Sequence, residues 1–360
     1  MSDCLIVGGG LIGMLTAREL ARAGLSVTLV ERGAVGQESS WAGGGIISPL
    51  YPWRYNDAVT QLARWSQSVY PALLDDICRE SGVDPEWTKN GLLILDSNEQ
   101  KIASQWAEQY DYPCELVSPS RIRELEPQLG LSESDGIWLP DVAQVRNPRL
   151  VKAMHGSLLY HGVTVLEHTE VDALCIKQDR MTGVLAAGRE IQATKVIVAS
   201  GAWSAALLQQ LGIRLELKPL RGQMLLFKGP PGLVSRIVLS RDRYVIPRRD
   251  GRVLVGSTLE DVGFDKSTTM QARDELIMEA RRLIPALSRF DVEHHWAGLR
   301  PASPDGTPYI YKDPRVGGLY VNSGHFRNGV VLGPASARLM ADIVLEKSPI
   351  MATKPYEICV

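Results

Sequence analysis

The sequence predicts an α/β chain: a Rossmann-like nucleotide-binding domain into which a second, α+β domain built on an antiparallel sheet is inserted. Three observations predict it. The first thirty residues read as strand, glycine turn, helix and strand. The stretch from Leu215 to Gly256 is rich in short strands separated by turns rather than helices. At 360 residues, the chain is longer than one hydrophobic core usually organises.

In chain order, Leu5-Ile6-Val7 is a continuous apolar run suited to a parallel strand buried on both faces. Leu11, Leu15, Ala17, Leu20 and Ala21 then recur at helical spacing up to Gly24, and Val27 to Val30 forms the next strand. Tyr55 to Ser81 has a helical rhythm through Leu62, Trp65, Val69, Leu73 and Ile77, with a break expected at Pro71 and an end near Gly82. Gly91 to Asp96 reads as a strand and Glu99 to Tyr110 as a polar helix. Pro148, directly after Asn147, marks the start of a capped helix, Arg149 to His161. Strand patterns resume at Val163 to Val165, Val171 to Ile176 and Lys195 to Ala199. Gln223 to Phe227, Ile237 to Leu239, Tyr244 to Ile246 and Val253 to Val255 supply the antiparallel sheet. A helix over Met270 to Leu283, a strand around Gly318 to Asn322 and a last helix opened by Pro334 and running to Glu346 complete the chain. The expected boundaries are 1–85, 144–213 and 297–360 for the nucleotide-binding domain, and 86–143 and 214–296 for the other.

Composition narrows the function. With 45% hydrophobic and 22% charged residues the chain is an ordinary globular protein, and a net charge of -2 offers no field for a polyanion, so nucleic acid is not expected as a partner. The cysteines Cys4, Cys78, Cys114, Cys175 and Cys359 are scattered, without a C-x-x-C pair to hold zinc or a redox disulfide. No metal is expected, and reduced thiols fit a cytoplasmic setting. No window approaches the roughly 18 apolar residues needed to span a bilayer, and the apolar run Cys4 to Val7 is too short for a signal-peptide core. Stable membrane association is not expected.

The motif with the clearest chemistry is Gly8-Gly9-Gly10-Leu11-Ile12-Gly13. Gly8 permits a tight bend, Gly10 lets the backbone approach a pyrophosphate, and Gly13 lets helix and strand pack closely, while the helix N-terminus supplies N–H donors. Glu31, eighteen residues after Gly13, stands where an acid accepts hydrogen bonds from a ribose diol. An acid there repels a 2′-phosphate and disfavours NADP. FAD and NAD share the fingerprint, so other segments must decide. Ser39 to Gly45 offers hydroxyls and glycine N–H groups to a long extended cofactor; Ser200-Gly201 ends a buried strand at the carboxyl edge of the sheet; Gly324 to Gly329 is a turn rich in N–H groups before the last helix. None of the six histidines sits in a triad pattern, and His294-His295 fits a strand beside Trp296.

These segments, with Tyr244-Val245-Ile246-Pro247-Arg248, Val255-Gly256-Ser257-Thr258, Trp296 to Pro301 and Asp305-Gly306 with Pro308, resemble the D-amino acid oxidase superfamily of flavoenzymes over essentially the full length. Within it the likeness is greatest to the glycine oxidases of thiamine biosynthesis. The resemblance implies non-covalent FAD, since relatives that attach flavin covalently use a late cysteine and none lies between Cys175 and Cys359. It also implies oxidation of small primary and secondary amino acids, with oxygen as acceptor and peroxide as product. It carries the cofactor contacts onto Gly8, Gly10, Leu11, Ile12, Gly13, Glu31, Arg32, Ser39, Ser40, Ala42, Gly43, Gly44, Gly45, Val171, Ser200, Gly201, Trp203, His325, Arg327, Asn328 and Gly329. The substrate carboxylate falls to Arg300 with Tyr244 beside it, and Arg327 is the third candidate in the catalytic set. Asp242 departs from the histidine expected in that position and predicts a differently charged pocket mouth. Relatives are often tetramers. Rival readings are a dehydrogenase of the same fold that passes electrons to a quinone, an NAD-dependent dehydrogenase, and a flavoprotein acting on modified RNA or serving as a non-catalytic subunit.

Overall fold

The computed structural model describes residues 2–95, 97–130 and 134–358; Asp96, at the end of one expected strand, and Cys359 lie outside them. Among the described residues three sheets form. The first comprises β1 (Cys4–Val7), β2 (Val27–Val30), β6 (Thr164–Leu166), β10 (Val196–Val198), β16 (Tyr309–Lys312) and β17 (Leu319–Ser323). They run in the order β16-β17-β10-β1-β2-β6, parallel except at β16, and every side chain of β1 and β2 is buried. That burial on both faces is what the unbroken apolar runs require.

The second sheet runs β15-β11-β14-β13-β12-β3-β5-β4. Its members are β3 (Leu92–Ile94), β4 (Glu115–Val117), β5 (Gly136–Leu139), β11 (Lys218–Lys228), β12 (Ile237–Ser240), β13 (Arg243–Pro247), β14 (Arg252–Gly256) and β15 (Val292–Ala302). All neighbours are antiparallel except β12 with β3. His294 and His295 lie in β15, which passes without interruption across the expected boundary at 296/297. A third sheet joins β7 (Val171–Lys177), β8 (Arg180–Ala186) and β9 (Arg189–Gln192); the hairpin β8–β9 has too little apolar alternation to be read from sequence.

Helices α1 (Leu11–Arg22), α3 (Asp57–Ser81), α6 (Asn147–Tyr160) and α9 (Gly329–Val344) pack with the first sheet, and α2 (Ser39–Ala42) lies beside α6 and β15. The remaining helices are α4 (Gln100–Gln109), α5 (Pro119–Leu125), α7 (Ser204–Gln209) and α8 (Met270–Leu283). None is long and apolar enough to cross a membrane.

Four helical expectations need correction. Pro71 does not break α3: it lies on the exposed face, where water can satisfy the carbonyl that its missing N–H leaves free. The core stripe of that helix is Leu62, Ser66, Tyr70, Leu74 and Ile77: Leu62 and Ile77 are buried as expected, while Trp65, Val69 and Leu73 give way to the residues one position on. Asn147 does not cap α6: its side-chain amide donates instead to the Ser40 carbonyl at 2.7 Å. Pro334 does not open the last helix, which starts five residues earlier at Gly329. A proline there cannot donate to the Val330 carbonyl. The Tyr70 hydroxyl donates to that carbonyl in its place, and the Ala335 N–H donates to Ser66 Oγ at 3.0 Å. Helix α3 thus supplies partners for the groups that Pro334 disturbs, and α9 continues through it.

Candidate active site

A cavity of about 630 Å³ runs from the end of β1 to the face of the second sheet. The Gly8 backbone has φ +111, and a methyl group there would fall 2.5 Å from the Ala199 carbonyl oxygen, so only glycine fits between β1 and β10. Gly10, Leu11 and Ile12 line the cavity, bringing the α1 N-terminus onto it; the Leu11 N–H donates to Ser40 Oγ at 2.8 Å. Gly13 does not line the cavity. A methyl there would fall 2.0 Å from the Gly8 carbonyl oxygen, so only glycine lets helix and strand pack this closely.

At the end of β2, Glu31 accepts the Gly9 N–H at 2.7 Å on one carboxylate oxygen and the Gly33 N–H at 2.9 Å on the other. The acid therefore braces the glycine turn and also faces the cavity. Arg32 lies 3.7 Å over the Trp203 ring and pairs with Glu38 at 3.0 Å. Arg32, Trp203, Val171, Ser200 and Gly201 all line this end. Hydroxyls tie the turn after β10 to the end of β17: Ser204 bonds to Ser323 at 2.9 Å, and Ser323 donates to the Gly201 carbonyl at 3.1 Å.

The segment Ser39 to Gly45 forms the wall between the two sheets. Ser39, Ser40, Ala42, Gly43, Gly44 and Gly45 all face the cavity. Ser39 Oγ donates to the Leu299 carbonyl at 2.7 Å, Trp296 Nε1 to that of Ala42 at 3.2 Å, and Arg248 Nη2 to that of Gly44 at 2.9 Å. Arg248 was visible in the sequence only as part of a motif. In the structure it braces this wall, with its pKa lowered by burial to about 10.

The far end rests on four adjacent strands, β15, β11, β14 and β13, which bring together residues distant in sequence. Arg300 on β15 reaches across β11 at Gly222 to the end of β14. There its Nη2 donates to Ser257 Oγ at 2.6 Å and its Nη1 to the Thr258 carbonyl at 3.1 Å. Among the described residues no acid lies within ion-pair distance of Arg300 or of Arg327, and both line the cavity. Burial, reinforced by the charge of Arg327 and opposed by Tyr244, lowers the Arg300 pKa. Such a cation is stabilised by an incoming anion. Tyr244 on β13 combines two roles: its ring belongs to the apolar cluster of the second sheet and lines the cavity, and its hydroxyl meets Met224 Sδ at 3.2 Å. Asp242 lies in the β12–β13 turn, away from the cavity wall, where Arg54 pairs with it at 3.4 Å; its charge is balanced outside the pocket.

His325, Asn328 and Gly329 complete the lining just before and at the α9 N-terminus. Burial pushes the His325 pKa down to about 3, so the ring is neutral. His325 Nε2 and Asn328 Nδ2 are buried without a hydrogen-bond partner. Buried polar atoms of this kind are normally satisfied by a ligand or water. Sequence reasoning missed Ser48, Leu50 and Met224, which also line the cavity, because single polar or apolar residues in strands and loops carry no pattern of their own; Ser257, also in the lining, was visible only as part of a motif, without a role.

Residues 3–343 match the model of the FAD dependent oxidoreductase family. The chain belongs to that family. Among its relatives, glycine oxidase of Pseudomonas aeruginosa is 48% identical over 98% of this chain and 97% of its own. A bifunctional ThiO/ThiG protein of Synechocystis is 31% identical over 96% of this chain and 52% of its own. The crystal structure of glycine oxidase from Geobacillus kaustophilus superposes with a TM-score of 0.94 at 28% identity, covering 99% of this chain and 98% of that one. The cofactor of this flavoenzyme is FAD, and the residues present fit it: a glycine turn with no room for side chains, a ribose-side acid, and orphaned donors at the opposite end.

Proposed function

We propose that this flavoprotein oxidises glycine and other small primary or secondary amino acids, sarcosine and small D-amino acids among them, with oxygen as acceptor. Glyoxylate or another 2-oxo acid, ammonia and hydrogen peroxide are the products. The single observation that carries this reading is Arg300, a guanidinium without an acid partner in the same cavity as the nucleotide turn. A place in thiamine thiazole biosynthesis is supported by the similarity to ThiO/ThiG proteins. On the same reading the nucleotide domain comprises 1–85, 144–213 and 297–360 and the substrate domain 86–143 and 214–296, except that β15 belongs whole to the second sheet. The site lies where the two meet, and the protein works in the cytoplasm.

Gly8, Gly10, Leu11, Ile12, Glu31 and Arg32 would hold the adenosine and pyrophosphate portions, and the wall Ser39 to Gly45 with His325 to Gly329 the flavin. The chemistry supplied by bound FAD is acceptance of a hydride equivalent from the substrate and delivery of its electrons to oxygen. Arg300 binds the carboxylate through parallel charge-assisted hydrogen bonds, and Tyr244 closes the same end. That anchoring fixes Cα and the amino group within a confined volume, which is the main contribution the side chains make to rate. Arg327 adds an unpaired positive charge, which favours the neutral amine over the ammonium form. No side-chain base is assigned, and neutral His325 leaves Nε2 available to a bound cofactor.

The test is the visible spectrum of purified protein before and after anaerobic glycine. Bleaching of the flavin followed by peroxide on readmission of oxygen is expected. A spectrum unmoved by glycine, sarcosine and a panel of D-amino acids overturns the assignment.

A further inference from the structure

The carboxylate end of the cavity poses a physical question that Arg300 does not answer alone. A long, flexible cation in an apolar wall must be held in one place before substrate arrives, or it loses binding energy to its own ordering. No acid among the described residues holds it. Two uncharged acceptors do, with the Tyr244 side chain as a further neighbour: the Thr258 carbonyl and the Ser257 hydroxyl, at 3.1 and 2.6 Å. Of the two acceptors only Ser257 is a side chain, and it is 2% exposed while lining the cavity.

The segment that carries it is rigidly seated. The Gln223 N–H donates to Thr258 Oγ1 at 2.8 Å, and Thr258 Oγ1 donates in turn to Glu260. Glu260 also accepts from Arg221 at 2.6 Å and from Gln223 at 2.9 Å, and the Arg221 and Glu260 backbones pair reciprocally. The charge of Glu260 is thereby spent on Arg221, one strand position away from Arg300, and does not reach the reader. The arrangement orients Arg300 without neutralising it, which an acid in place of Ser257 would do.

We infer that Ser257 is a positioning residue for substrate binding: its hydroxyl fixes the Arg300 guanidinium in the orientation that receives a carboxylate. The inference rests on Arg300 being the carboxylate site. Ser257 acts through Arg300 and takes no part in bond making.

The experiment uses the FAD-loaded protein and follows perturbation of its visible spectrum by acetate and by acetamide, a neutral molecule of the same shape. Wild-type protein should prefer acetate. Ser257→Ala should weaken acetate about tenfold, the scale of one hydrogen bond to a charged group, while acetamide and FAD affinity stay as they were. In turnover the glycine KM rises by a similar factor with kcat within about twofold. Ser257→Thr, which keeps the hydroxyl, should recover most of the acetate affinity. Acetate binding by Ser257→Ala equal to wild type overturns the inference, as does equal weakening of acetate and acetamide, which marks a general loosening of the wall. If wild-type protein fails to distinguish acetate from acetamide, it is the carboxylate reading of Arg300 that falls.

Discussion

A methyl group added at Gly222 would lie 2.1 Å from Arg300 Nη2, 2.2 Å from Nη1 and 2.3 Å from Cζ. Ordinary van der Waals contact begins near 3.4 Å, so Gly222→Ala must drive the guanidinium aside by about 1.3 Å. Displacement on that scale breaks the bonds to Ser257 and Thr258, now 2.6 and 3.1 Å long, and removes the paired donors from the carboxylate. Breaking a buried charged pair costs about 2–5 kcal/mol, which converts to a rise of roughly 30-fold to several thousand-fold in glycine KM. Stability should change little: Gly222 lies in strand β11 without a positive φ, alanine suits a strand at least as well as glycine, and the obstructed atoms end a flexible side chain. The assay is steady-state oxidation of glycine by the FAD-loaded variant, beside its thermal melting curve. A variant that melts as wild type and retains a KM within threefold would refute the placement of Arg300 across Gly222 as the carboxylate reader.

Three further outcomes follow from other parts of the molecule. Glu31→Gln replaces one acceptor of the Gly9 and Gly33 N–H groups by a donor, and FAD affinity measured by apoprotein titration should fall about 10- to 100-fold. Tyr70→Phe leaves the Val330 carbonyl without its donor inside the core, costing about 1–3 kcal/mol in urea unfolding; a change below 0.3 kcal/mol would remove that bond from the account of α9. Glu80, though its partial burial opposes ionisation, is held to a pKa of about 2 by hydrogen bonds from Arg18, Ser157 and His161. Because its folded pKa is depressed, the stabilisation is complete above the unfolded value near 4.5 and is lost as pH falls through about 2. The stability gap between wild type and Glu80→Gln should therefore be about 2–3 kcal/mol at neutral pH and narrow steadily in acid.

The nucleotide end of the site was legible because its logic is local. Gly8, Gly10, the apolar β1 and Glu31 lie within thirty residues, and each residue type is dictated by a close approach, a turn or an anion. The substrate end was legible only through resemblance. Arg300, Gly222 and Tyr244 come from three strands and Ser257 follows a fourth, and nothing in residue spacing says that an arginine on one strand will cross a glycine on the next to reach a serine just past the end of a third. The helix errors share a cause. Pro71 and Pro334 were read by the rule for isolated helices, whereas Pro71 faces solvent and the groups near Pro334 find partners on α3. Asn147 was read as a cap because caps are local, but its amide partner is Ser40, more than a hundred residues away.

The paired contacts from Tyr70 and Ser66 do more than complete a hydrogen-bond ledger. Apolar ridges between two helices permit sliding by a turn with modest loss, since one leucine-sized groove resembles the next. A hydroxyl donating to one carbonyl and a second accepting from one amide have no equivalent a turn away. They act as an index pin that fixes α9 along its own axis, and with it the height at which Asn328 and Gly329 stand in the cavity. The proline that ought to have weakened the helix is thus what gives it a unique longitudinal setting, and the Asn328–Gly329 end of the pocket is calibrated from α3, an element that does not line the pocket.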